Sequence, residues 1–551
     1  MAPESSGTPP LPPPDVVWGH TVAGLTGDPA TSINTAVEMC ARHASDHSRV
    51  CVSVVDSTGS AERWTYHDLE CAAARFSDVF HRSGLRPGDR VAAILSRQIE
   101  TWICALAVWR SGLTYVPLFC GFGADALSYR LEASGARMVV VDQQWRDTLS
   151  EVQPTLTRDL QIVTVAGAHG AGLRPGDSSF WPELDRGDAA SDPVATRPHD
   201  PATLLFTSGT TGPPKACVIP HSGFVSLIPY AVHALGLTRD DLLFATSDPG
   251  WAYGLYTTGL VPLTLGIPLV MYSGQFDPAA WLGVMRSERP TYLTAAPTAI
   301  RSLLQSIEHE GAPAALRAAA TAGEPLDADT VTAWQRLTSS PIRDGYGLTE
   351  IGMVLANLAD ASGDLVPGAM GDVVPGFEAL LVERDGTPVG ALDEGLIAVK
   401  RPRFQLSIGY DNVPATWDAR WVGDLFVTED RARRDEEGRW WFVGRDDDMI
   451  VTSGYKIGPI EIETALLEHP AVAEAAVVAD PDPERGSIIR AVIVTRPDAP
   501  AEQLLTPQLQ DAVRTKVGRH AYPRIIDYVE ALPRTEVGKI RRAELRRGPG
   551  S

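Results

Sequence analysis

Short apolar runs alternate with longer helix-like runs over much of this chain, and this alternation most constrains its fold. From about residue 50 to about residue 350, strand-like stretches such as RVAAIL (90–95) precede helix-like stretches such as ETWICALAVWRSG (100–112). Such repetition predicts parallel sheets that are covered by helices. Because 551 residues exceed the usual size of one hydrophobic core, we expect two or more domains.

A different pattern begins near residue 445, at the segment VGRDDDMIVTSGYKIG. Short strand-like and helix-like runs mix there over about a hundred residues, which is typical of a small α+β domain. We therefore predict an α/β protein with a large N-terminal domain of parallel sheets flanked by helices, a β-rich subdomain and a small α+β C-terminal domain. The predicted divisions are a disordered Pro-rich tail (1–22), a large domain (23–445), a small domain (446–545) and a short tail (546–551).

Bulk composition excludes several classes of protein. The net charge of −21 repels nucleic-acid phosphates, so we expect no nucleic-acid partner. No stretch reaches the roughly 18 apolar residues of a membrane span, and the N-terminus lacks a signal-peptide pattern. The cysteines show neither a CxxC pair nor metal-ligand spacing, and they lie at positions 40, 51, 71, 104, 120 and 217. We expect reduced thiols in a cytoplasmic protein, whereas composition predicts nothing about its oligomeric state.

The stretch LLFTSGTTGPPKACV (204–218) has the residues needed to hold a polyphosphate. Its apolar start is typical of a buried strand, and Gly209 and Gly212 let the backbone N–H groups that follow converge on one point. Lys215 adds a positive charge to this loop. The hydroxyl groups in the loop belong to Ser208, Thr210 and Thr211. The loop is not a Walker A motif, in which Ser or Thr follows the lysine, so it indicates phosphate binding without naming a reaction.

Four further segments follow in order: TAGEPL (321–326), RDGYGLTE (343–350), FVTEDRARRDEEG (426–438) and RTEVGKIRRAEL (534–545). Together with the Ser/Thr/Gly loop and SGYKIG (453–458), this series closely resembles the adenylate-forming superfamily of acyl-CoA synthetases, adenylation domains and luciferases. The resemblance covers nearly all of the chain after the Pro-rich start. The surrounding sequence is most similar to the acetyl- and medium-chain acyl-CoA synthetase branch.

The resemblance implies an AMP-forming acid:CoA ligase that uses ATP, Mg²⁺ and CoA. In such enzymes a carboxylate attacks the α-phosphorus of ATP, acyl-AMP forms and pyrophosphate leaves. The protein then contributes mostly positioning and neutralisation of charge. By the same resemblance, Lys215 and the loop before it hold the β- and γ-phosphates, and Glu350 binds Mg²⁺.

The family motifs also imply which residues hold the nucleotide. The turn at 323–325 and Tyr346 correspond to the adenine pocket. Asp430 corresponds to the acceptor of the ribose hydroxyl groups, and Arg445 is expected near the same sugar. The implied nucleotide contacts are Thr207, Ser208, Gly209, Thr210, Thr211, Gly212, Gly323, Glu324, Pro325, Asp344, Gly345, Tyr346, Gly347, Thr349, Asp430 and Arg445.

Two parts of the small domain are implied to act in turn. Lys539 corresponds to the adenylation lysine, which bridges the substrate carboxylate and the charge that develops on the phosphate. Asp447 corresponds to the hinge about which this mobile lid domain rotates. Gly454 then lets the pantetheine of CoA pass close to the backbone, whereas Lys456 faces phosphate before the rotation.

Three positions bear on affinity and specificity. The family usually has Thr-Gly-Asp before the ribose aspartate; this chain has Glu429 instead of the glycine, and we expect its carboxylate to point to solvent. Relatives specific for acetate carry Trp at the position of Gly347, so this chain is expected to accept acids larger than acetate. Trp251 corresponds to an aromatic residue beside the acyl group, although a core tryptophan would give the same pattern.

Two other interpretations share these motifs. An adenylating enzyme of a natural-product pathway could pass its adenylate to a carrier protein or an amine, or could activate nitrite for diazotisation of an aryl amine. We expect no carrier domain after residue 545, so any carrier protein would be a separate chain. A descendant that only binds nucleotide is disfavoured, because Lys215, Glu350 and Lys539 are all present.

Overall fold

Two compact units make up the described part of the protein. The computed structural model describes residues 12–167, 170–189, 191–207, 213–359, 365–452, 455–482, 486–517, 521–534 and 540–546. The first unit runs to Glu378 and also includes Lys400–Ala419. The second comprises Ala379–Val399 and the described residues from Arg420 onward. The domain boundary expected between residues 445 and 446 concerns a rotation, and it stays a prediction.

Strands and helices alternate along the first unit, as the sequence pattern predicts. The strands are β1 (Val50–Val55), β2 (Ala61–Thr65), β3 (Arg90–Ile94), β4 (Thr114–Pro117), β5 (Met138–Asp142), β6 (Gln161–Val165), β7 (Ser178–Ser179), β8 (Pro201–Thr207), β9 (Lys215–Pro220), β10 (Leu243–Ala245), β11 (Leu269–Tyr272), β12 (Tyr292–Thr294), β13 (Ala318–Ala322), β14 (Ile342–Leu348), β15 (Gly352–Ala356), β16 (Asp372–Val373), β17 (Ala379–Val382), β18 (Gly395–Lys400), β19 (Trp421–Val422), β20 (Leu425–Arg434), β21 (Trp440–Arg445), β22 (Ile450–Thr452), β23 (Tyr455–Ile457), β24 (Val472–Asp482), β25 (Gly486–Thr495) and β26 (Ile525–Tyr528). The α-helices are α1 (Pro14–Ala23), α2 (Thr35–Met39), α3 (Tyr66–Arg82), α4 (Ile99–Arg110), α5 (Ala124–Ser134), α6 (Arg146–Val152), α7 (Phe180–Arg186), α8 (Val261–Leu265), α9 (Pro278–Ser287), α10 (Pro297–Glu310), α11 (Ala328–Thr338), α12 (Pro414–Asp418), α13 (Pro459–Leu467), α14 (Glu502–Lys516) and α15 (Arg542–Leu545). Two π-helices, Tyr230–Ala234 and Tyr253–Leu260, were not predicted.

Two large sheets organise the first unit. One has the strand order β16-β15-β14-β13-β12-β10-β11-β1-β2, and the other has the order β7-β6-β5-β3-β4-β8-β9. Pairing is parallel through the centre of each sheet, and antiparallel pairs such as β14–β15 and β8–β9 lie toward the edges. Parallel strands require crossover connections, which the helices supply, so the predicted fold class is confirmed.

Three helices cover one face of the nine-stranded sheet. Leu293 and Ile342 of that sheet pack against Trp281, Leu303 and Trp334, one residue from each of α9, α10 and α11. Burial of each such apolar side chain contributes about 1.5–3 kcal/mol to stability. This core holds β13 and β14, whose ends carry the predicted adenine residues.

The start of the chain corrects one prediction. Residues 14–23, which the sequence placed in a disordered tail, form α1, and Trp18 on this helix is 1% exposed. Its indole N–H donates to the Gly376 carbonyl over 2.9 Å, and its ring contacts Phe377 edge to face. A buried tryptophan whose polar atom is satisfied stabilises the segment despite the prolines before it. Residues 1–11 lie outside the described part.

The second unit contains smaller sheets. Strands β17, β18, β20 and β19 pair in that order, with β21 on β20, and β20 and β21 carry the predicted ribose residues. Strands β24, β25 and β26 form the sheet of the small α+β domain. Ile462 and Leu466 of α13 pack with Leu505 and Leu509 of α14 in its core. The predicted α+β character of this region is confirmed.

Two expectations from composition can be compared with the structure. All six cysteines are free thiols, and every one except Cys71 is buried. Within the described ranges, the helices are all too short or too polar to cross a bilayer.

Candidate active site

The predicted phosphate-binding stretch forms a β-hairpin. Strands β8 and β9 pair antiparallel, with Thr207 opposite Lys215 at the base of the turn. The Thr207 hydroxyl donates to the Lys215 carbonyl oxygen over 3.4 Å. The turn residues Ser208, Gly209, Thr210, Thr211 and Gly212 lie outside the described residues. The hairpin therefore places Lys215 at the first residue of a strand, directly after the predicted loop.

Tyr410 contacts both Lys215 and Glu350. The Lys215 ammonium nitrogen is 5.6 Å from the centroid of the Tyr410 ring, a distance at which an aromatic face attracts a cation. The Tyr410 hydroxyl donates to Oε1 of Glu350 over 2.6 Å, which is a charge-assisted hydrogen bond. Tyr410 is only 3% exposed. One buried side chain thus brings together two predicted catalytic groups.

The segment Ser407–Asn412 supports this arrangement from two sides. The Ser407 hydroxyl donates to the Thr349 carbonyl over 2.7 Å, and the Ser407 N–H donates to the Glu350 carbonyl over 3.2 Å. The Asn412 side chain accepts from the Ala216 N–H over 3.0 Å. The segment therefore joins the turn that carries Glu350 to the strand that begins at Lys215.

Sequence reasoning missed this supporting segment. Its sequence, SIGYDN, has the Gly, Ser, Asp and Asn content of an ordinary loop. A tyrosine inside such a polar tract is the one available signal, and that signal does not name a partner. Tyr410 is 60 positions from Glu350 in the chain, so only the folded structure shows the contact.

The predicted adenine residues meet at the carboxyl ends of two neighbouring strands. Strands β13 and β14 run parallel, with Thr321 opposite Asp344. The turn 323–325 follows β13 directly, and Gly323 has a φ of +90°, which a residue with a side chain rarely adopts. Ligands of open parallel sheets bind outside these carboxyl ends, so the topology suits the predicted site.

Asp344 supports this turn through buried hydrogen bonds. Its Oδ1 accepts from the Thr321 hydroxyl over 3.1 Å and from the Gly345 N–H over 3.0 Å, and the Leu326 N–H also donates to its carboxylate. Burial raises the pKa of Asp344 to about 7, although these hydrogen bonds act to lower it. The carboxyl group therefore titrates near neutral pH.

The other predicted adenine residues surround the same turn. Glu324 accepts from the Thr298 hydroxyl over 2.7 Å, so α10 holds its carboxylate. Gly323 and Pro325 are exposed, and Tyr346 is half-buried. A flat base could reach the exposed backbone of this turn, while Glu324 acts as a support.

Two glycines of β14 lie against neighbouring groups at very short range. A Cβ on Gly345 would lie 2.4 Å from the Tyr230 hydroxyl oxygen. A Cβ on Gly347 would lie 2.3 Å from the Gly352 carbonyl oxygen and 2.8 Å from Cα of Met353. The close backbone of β15 therefore explains Gly347 without reference to a substrate. Its expected role in setting pocket depth stays a prediction, and a Gly347→Trp variant would disturb β15 before it tested that role.

Trp251 lies in an aromatic cluster. It follows β10 in a turn where its N–H donates to the Asp248 carbonyl over 3.1 Å. Its ring centroid is 5.7 Å from that of Phe119 and 5.8 Å from that of Phe122. The indole is half-buried, so this cluster offers a partly accessible aromatic surface.

The predicted ribose residues are paired across β20 and β21 in the second unit. Asp430 lies opposite Arg445, and 3.7 Å separates Oδ1 of Asp430 from Nη1 of Arg445. The Arg445 Nε donates to the predicted hinge residue Asp447 over 2.9 Å. Burial acts to lower the pKa of Arg445, but the carboxylates of Asp430, Asp447 and Glu429 raise it above its ordinary value. Arg445 is therefore a permanent cation held among three carboxylates.

Glu429 corrects the expectation that it points to solvent. Its carboxylate lies 2.5 Å from the guanidinium of Arg420 and 2.6 Å from that of Arg445. The additional negative charge is thus matched by Arg420, which sequence reasoning did not select. Arg420 precedes Glu429 by nine positions with no motif around it, so its sequence carried no usable signal.

The remaining predicted residues of the small domain lie wholly or partly beyond the described structure. Gly454 and Lys539 lie outside the described residues. Lys456 is within β23 and pairs with Val451, but its side chain is not described. Their expected roles stay predictions.

Comparison with known proteins gives the class to which this fold and site belong. Residues 39–410 match the AMP-binding enzyme family, and residues 461–539 match the AMP-binding enzyme C-terminal domain. The chain therefore belongs to the AMP-binding enzyme family, and the predicted adenylate-forming superfamily is confirmed.

Individual relatives narrow the class further. The chain is 33% identical over 505 residues to acyl-coenzyme A synthetase ACSM3, mitochondrial, of Rattus norvegicus, across 90% of this chain and 85% of that protein. The crystal structure of a Brucella canis acyl-CoA synthetase matches with a TM-score of 0.76 and 32% identity, across 98% of this chain and 99% of that one. The anthranilate CoA ligase AuaEII in complex with anthranoyl-AMP matches with a TM-score of 0.85 and 25% identity, across 94% and 97%. These relatives confirm the predicted class, an AMP-forming acyl-CoA ligase.

Proposed function

We propose that this protein joins a carboxylic acid larger than acetate to CoA through an acyl-AMP intermediate. In the first step a carboxylate oxygen bonds to the α-phosphorus of ATP as the bond to pyrophosphate breaks. In the second step the CoA sulfur bonds to the acyl carbon, AMP leaves with the electron pair of the broken C–O bond, and the thiol proton is released. The observation that carries this proposal is the contact of Tyr410 with both Lys215 and Glu350 beside the hairpin.

Glu350 suits a Mg²⁺ ion that is shared with the nucleotide. Among the described residues, no group of three or more His, Cys, Asp or Glu side chains could enclose a metal. Mg²⁺ usually binds one or two carboxylates together with phosphate oxygens and water, so a single well-held carboxylate fits. Tyr410 holds Glu350 in place. The ion would neutralise phosphate charge there.

The remaining groups of the first unit would hold the nucleotide. Lys215 and the 207–212 loop would bind the β- and γ-phosphates, since a cation and convergent N–H groups suit them. The turn 323–325 and Tyr346 would contact adenine, with Asp344 supporting the turn.

In the second unit, we assign Asp430 and Arg445 to the ribose, Lys539 to adenylation and Asp447 to the hinge. Gly454 and Lys456 would serve the CoA and phosphate states respectively. These assignments rest on the family motifs, and a lid of residues 446–545 that rotates between the two steps is part of the same proposal.

The aromatic cluster around Trp251 supports an acid with an aryl or medium-length acyl group. Large apolar rings gain little from a two-carbon acid and much from a larger apolar body. A similar protein is named an anthranilate CoA ligase, which is an enzyme of an aromatic acid. We therefore expect acetate to be a poor substrate.

Exchange of labelled pyrophosphate into ATP, run with a panel of acids, tests the first step. Product analysis should then show AMP and pyrophosphate, with thioester when CoA is added. Release of ADP and orthophosphate would contradict the proposal. Exchange that depends on acid but gives no thioester would favour transfer to a carrier protein or an amine, and exchange with nitrite alone would favour diazotisation.

We also propose a cytoplasmic location. Six free thiols, most of them buried, are usual in a reducing compartment. Alkylation of the protein as it leaves the cell, followed by mass spectrometry, should find no disulfide.

A further inference from the structure

Four polar side chains lie together on one face of the nine-stranded sheet, opposite the face that α9–α11 cover. We call them the tyrosine cluster: Tyr230, Tyr253, Tyr292 and Arg343. Leu293 and Ile342 point into the core beneath α9–α11. Because neighbouring residues of a strand point to opposite faces, Tyr292 and Arg343 point the other way.

The polar atoms of the tyrosine cluster are buried and lack hydrogen-bond partners. This holds among the described residues for the hydroxyl oxygens of Tyr230, Tyr253 and Tyr292, and for Nε and Nη1 of Arg343. The hydroxyls of Tyr230 and Tyr253 approach each other closely enough to shift each other's pKa, but they form no hydrogen bond of normal geometry. Most buried polar groups in proteins are paired, so several unpaired ones in one place require an explanation.

A third buried tyrosine nearby shows the usual behaviour. Tyr256 lies one turn beyond Tyr253 in the same π-helix, and its hydroxyl donates to the Thr203 hydroxyl over 2.7 Å. Burial alone therefore does not prevent pairing in this region. The difference is specific to the tyrosine cluster.

The tyrosine cluster adjoins the proposed nucleotide site. The Tyr230 hydroxyl oxygen occupies the space next to Gly345, where a Cβ would lie 2.4 Å away. The carboxylate of Asp344 raises the pKa of both Tyr230 and Tyr253, after the larger effect of burial, so it lies near both hydroxyls. Tyr253 and Arg343 are only half-buried as residues, so solvent reaches part of the group.

The backbone at this point is also unusual. Tyr230 and Tyr253 are each the first residue of a π-helix. Single π-turns are rare and occur often at functional sites, because they displace side chains from regular helical positions. Two such turns bring the two unpaired hydroxyls toward one point.

We infer that the tyrosine cluster is a polar subsite that receives an oxygen acceptor on the far end of the substrate acid. The inference rests on the proposed function. Three hydroxyls and two guanidinium N–H groups can all donate, so a carboxylate, hydroxyl or carbonyl oxygen would satisfy them, whereas a methyl group would leave them unpaired. The substrate class is therefore acids with a second polar group remote from the reacting carboxylate.

Matched pairs of acids test the inference by pyrophosphate exchange. The aromatic pair is 4-hydroxybenzoate and 4-methylbenzoate, and the aliphatic pair is adipate and heptanoate. The wild-type protein should show at least about a tenfold higher kcat/KM for the polar member of one pair, because unpaired buried donors disfavour the apolar analogue. Tyr230→Phe and Tyr253→Phe should reduce that preference by about tenfold, while use of the methyl analogue changes little.

Tyr256→Phe is the matched control. It also removes one hydroxyl from a buried tyrosine, but that hydroxyl is paired, so the melting temperature should fall and the preference should remain. Tyr230→Phe removes an unpaired hydroxyl, so its melting temperature should stay level or rise. If Tyr230→Phe fails to fold, Tyr253→Phe at the half-buried position provides the same test.

Each outcome has one meaning. If no acid supports exchange, the proposed function fails and the inference fails with it. If the methyl and hydroxyl acids are used equally well, the function stands and the inference is overturned. If the preference exists but survives both Tyr→Phe variants, another group selects the substrate, and the inference is overturned as well.

Discussion

The adenine turn of the first unit and the ribose cluster of the second are stabilised by different forces. Asp344 supports the adenine turn with hydrogen bonds from Thr321 and from backbone N–H groups, all within a desolvated site. Arg445 instead lies among carboxylates, and its side chain and that of Glu429 are 29% and 37% exposed. Buried hydrogen bonds resist salt, whereas partly exposed ion pairs are screened and weak. The first region should therefore respond to pH and the second to ionic strength.

The largest effect is expected from Lys539→Ala in the second unit. If this unit acts on the transition state and the first unit binds ATP, then loss of the lysine should lower the rate of adenylation by about 10²–10³. The affinity for ATP should change little. Single-turnover measurement of acyl-AMP formation, with ATP affinity from titration, checks both parts.

The second step supplies the control for Lys539→Ala. Chemically prepared acyl-AMP and CoA should still give thioester, because the lysine acts in the first step only. Gly454→Leu should show the opposite pattern, with normal adenylation and slow thioester formation. Equal loss of both steps in Lys539→Ala would contradict the division of labour.

Asp344→Asn tests the pH response of the adenine turn. The pKa of Asp344 is raised from 3.8 to about 7 by folding, so the unfolded chain binds fewer protons between these values. The free energy of unfolding therefore falls as pH rises through this window, by about 1.4 kcal/mol per pKa unit. Asn keeps the acceptor oxygen but cannot ionise, so the variant should gain stability over the wild type as pH rises from about 5 to 8.

Asp435→Asn in the second unit is the matched control. Burial raises the pKa of Asp435, but hydrogen bonds from Trp441 and Arg439 outweigh it and lower the pKa to about 2. This carboxyl group is ionised in both states above about pH 5, so its replacement should change stability by the same amount at every pH tested. Urea unfolding at several pH values measures both variants, and parallel curves for the Asp344 variant and the wild type would refute the assignment.

Tyr410→Phe tests the contact that joins the two charged groups of the first unit. The ring remains beside Lys215, but Glu350 loses a charge-assisted hydrogen bond worth about 1.5–3 kcal/mol. We expect kcat/KM for ATP to fall by about 10- to 100-fold and the Mg²⁺ requirement to rise. Tyr129→Phe, which loses a neutral hydrogen bond to the Pro214 carbonyl, should cost less and leave the Mg²⁺ requirement unchanged.

The smallest effect is expected at Glu429 and Arg420. Glu429→Gln removes a negative charge beside Arg445, so KM for ATP should fall by about two- to fivefold. Arg420→Met leaves Glu429 less neutralised and should raise KM by a similar factor. Both effects should shrink in about 0.5 M NaCl, because salt screens exposed charges. Changes of the same sign, or changes that ignore salt, would remove the contrast between the two regions.

Local patterns were enough to predict the main architecture. The alternation of strand-like and helix-like runs predicted the parallel sheets, and the Asp277-Pro278 pair predicted the start of α9. The Asp277 side chain accepts from the Ala279 N–H over 2.8 Å, as an N-cap should. The order of the motifs likewise predicted the superfamily. Each of these signals depends on residues close together in the chain, so it survives without knowledge of the fold.

Several contacts were decided only by the tertiary structure. Trp18 buries α1 through a bond to Gly376, 358 positions away, and this contact overrides the disorder that the prolines suggested. Glu429 finds Arg420, and Tyr410 finds Lys215 and Glu350, because strand pairing brings their segments to the same place. No local pattern encodes which strand edges meet.

Sequence by itself therefore determined the class of the protein and the chemistry its motifs can support, because both are written in short segments whose order is sufficient. Tertiary structure alone decided which side chains support those motifs and which polar groups of the tyrosine cluster remain unpaired. Hydrogen bonds and ion pairs form or fail according to distances of a few tenths of an ångström between groups remote in the chain. Such distances arise only from the packing of whole sheets and helices.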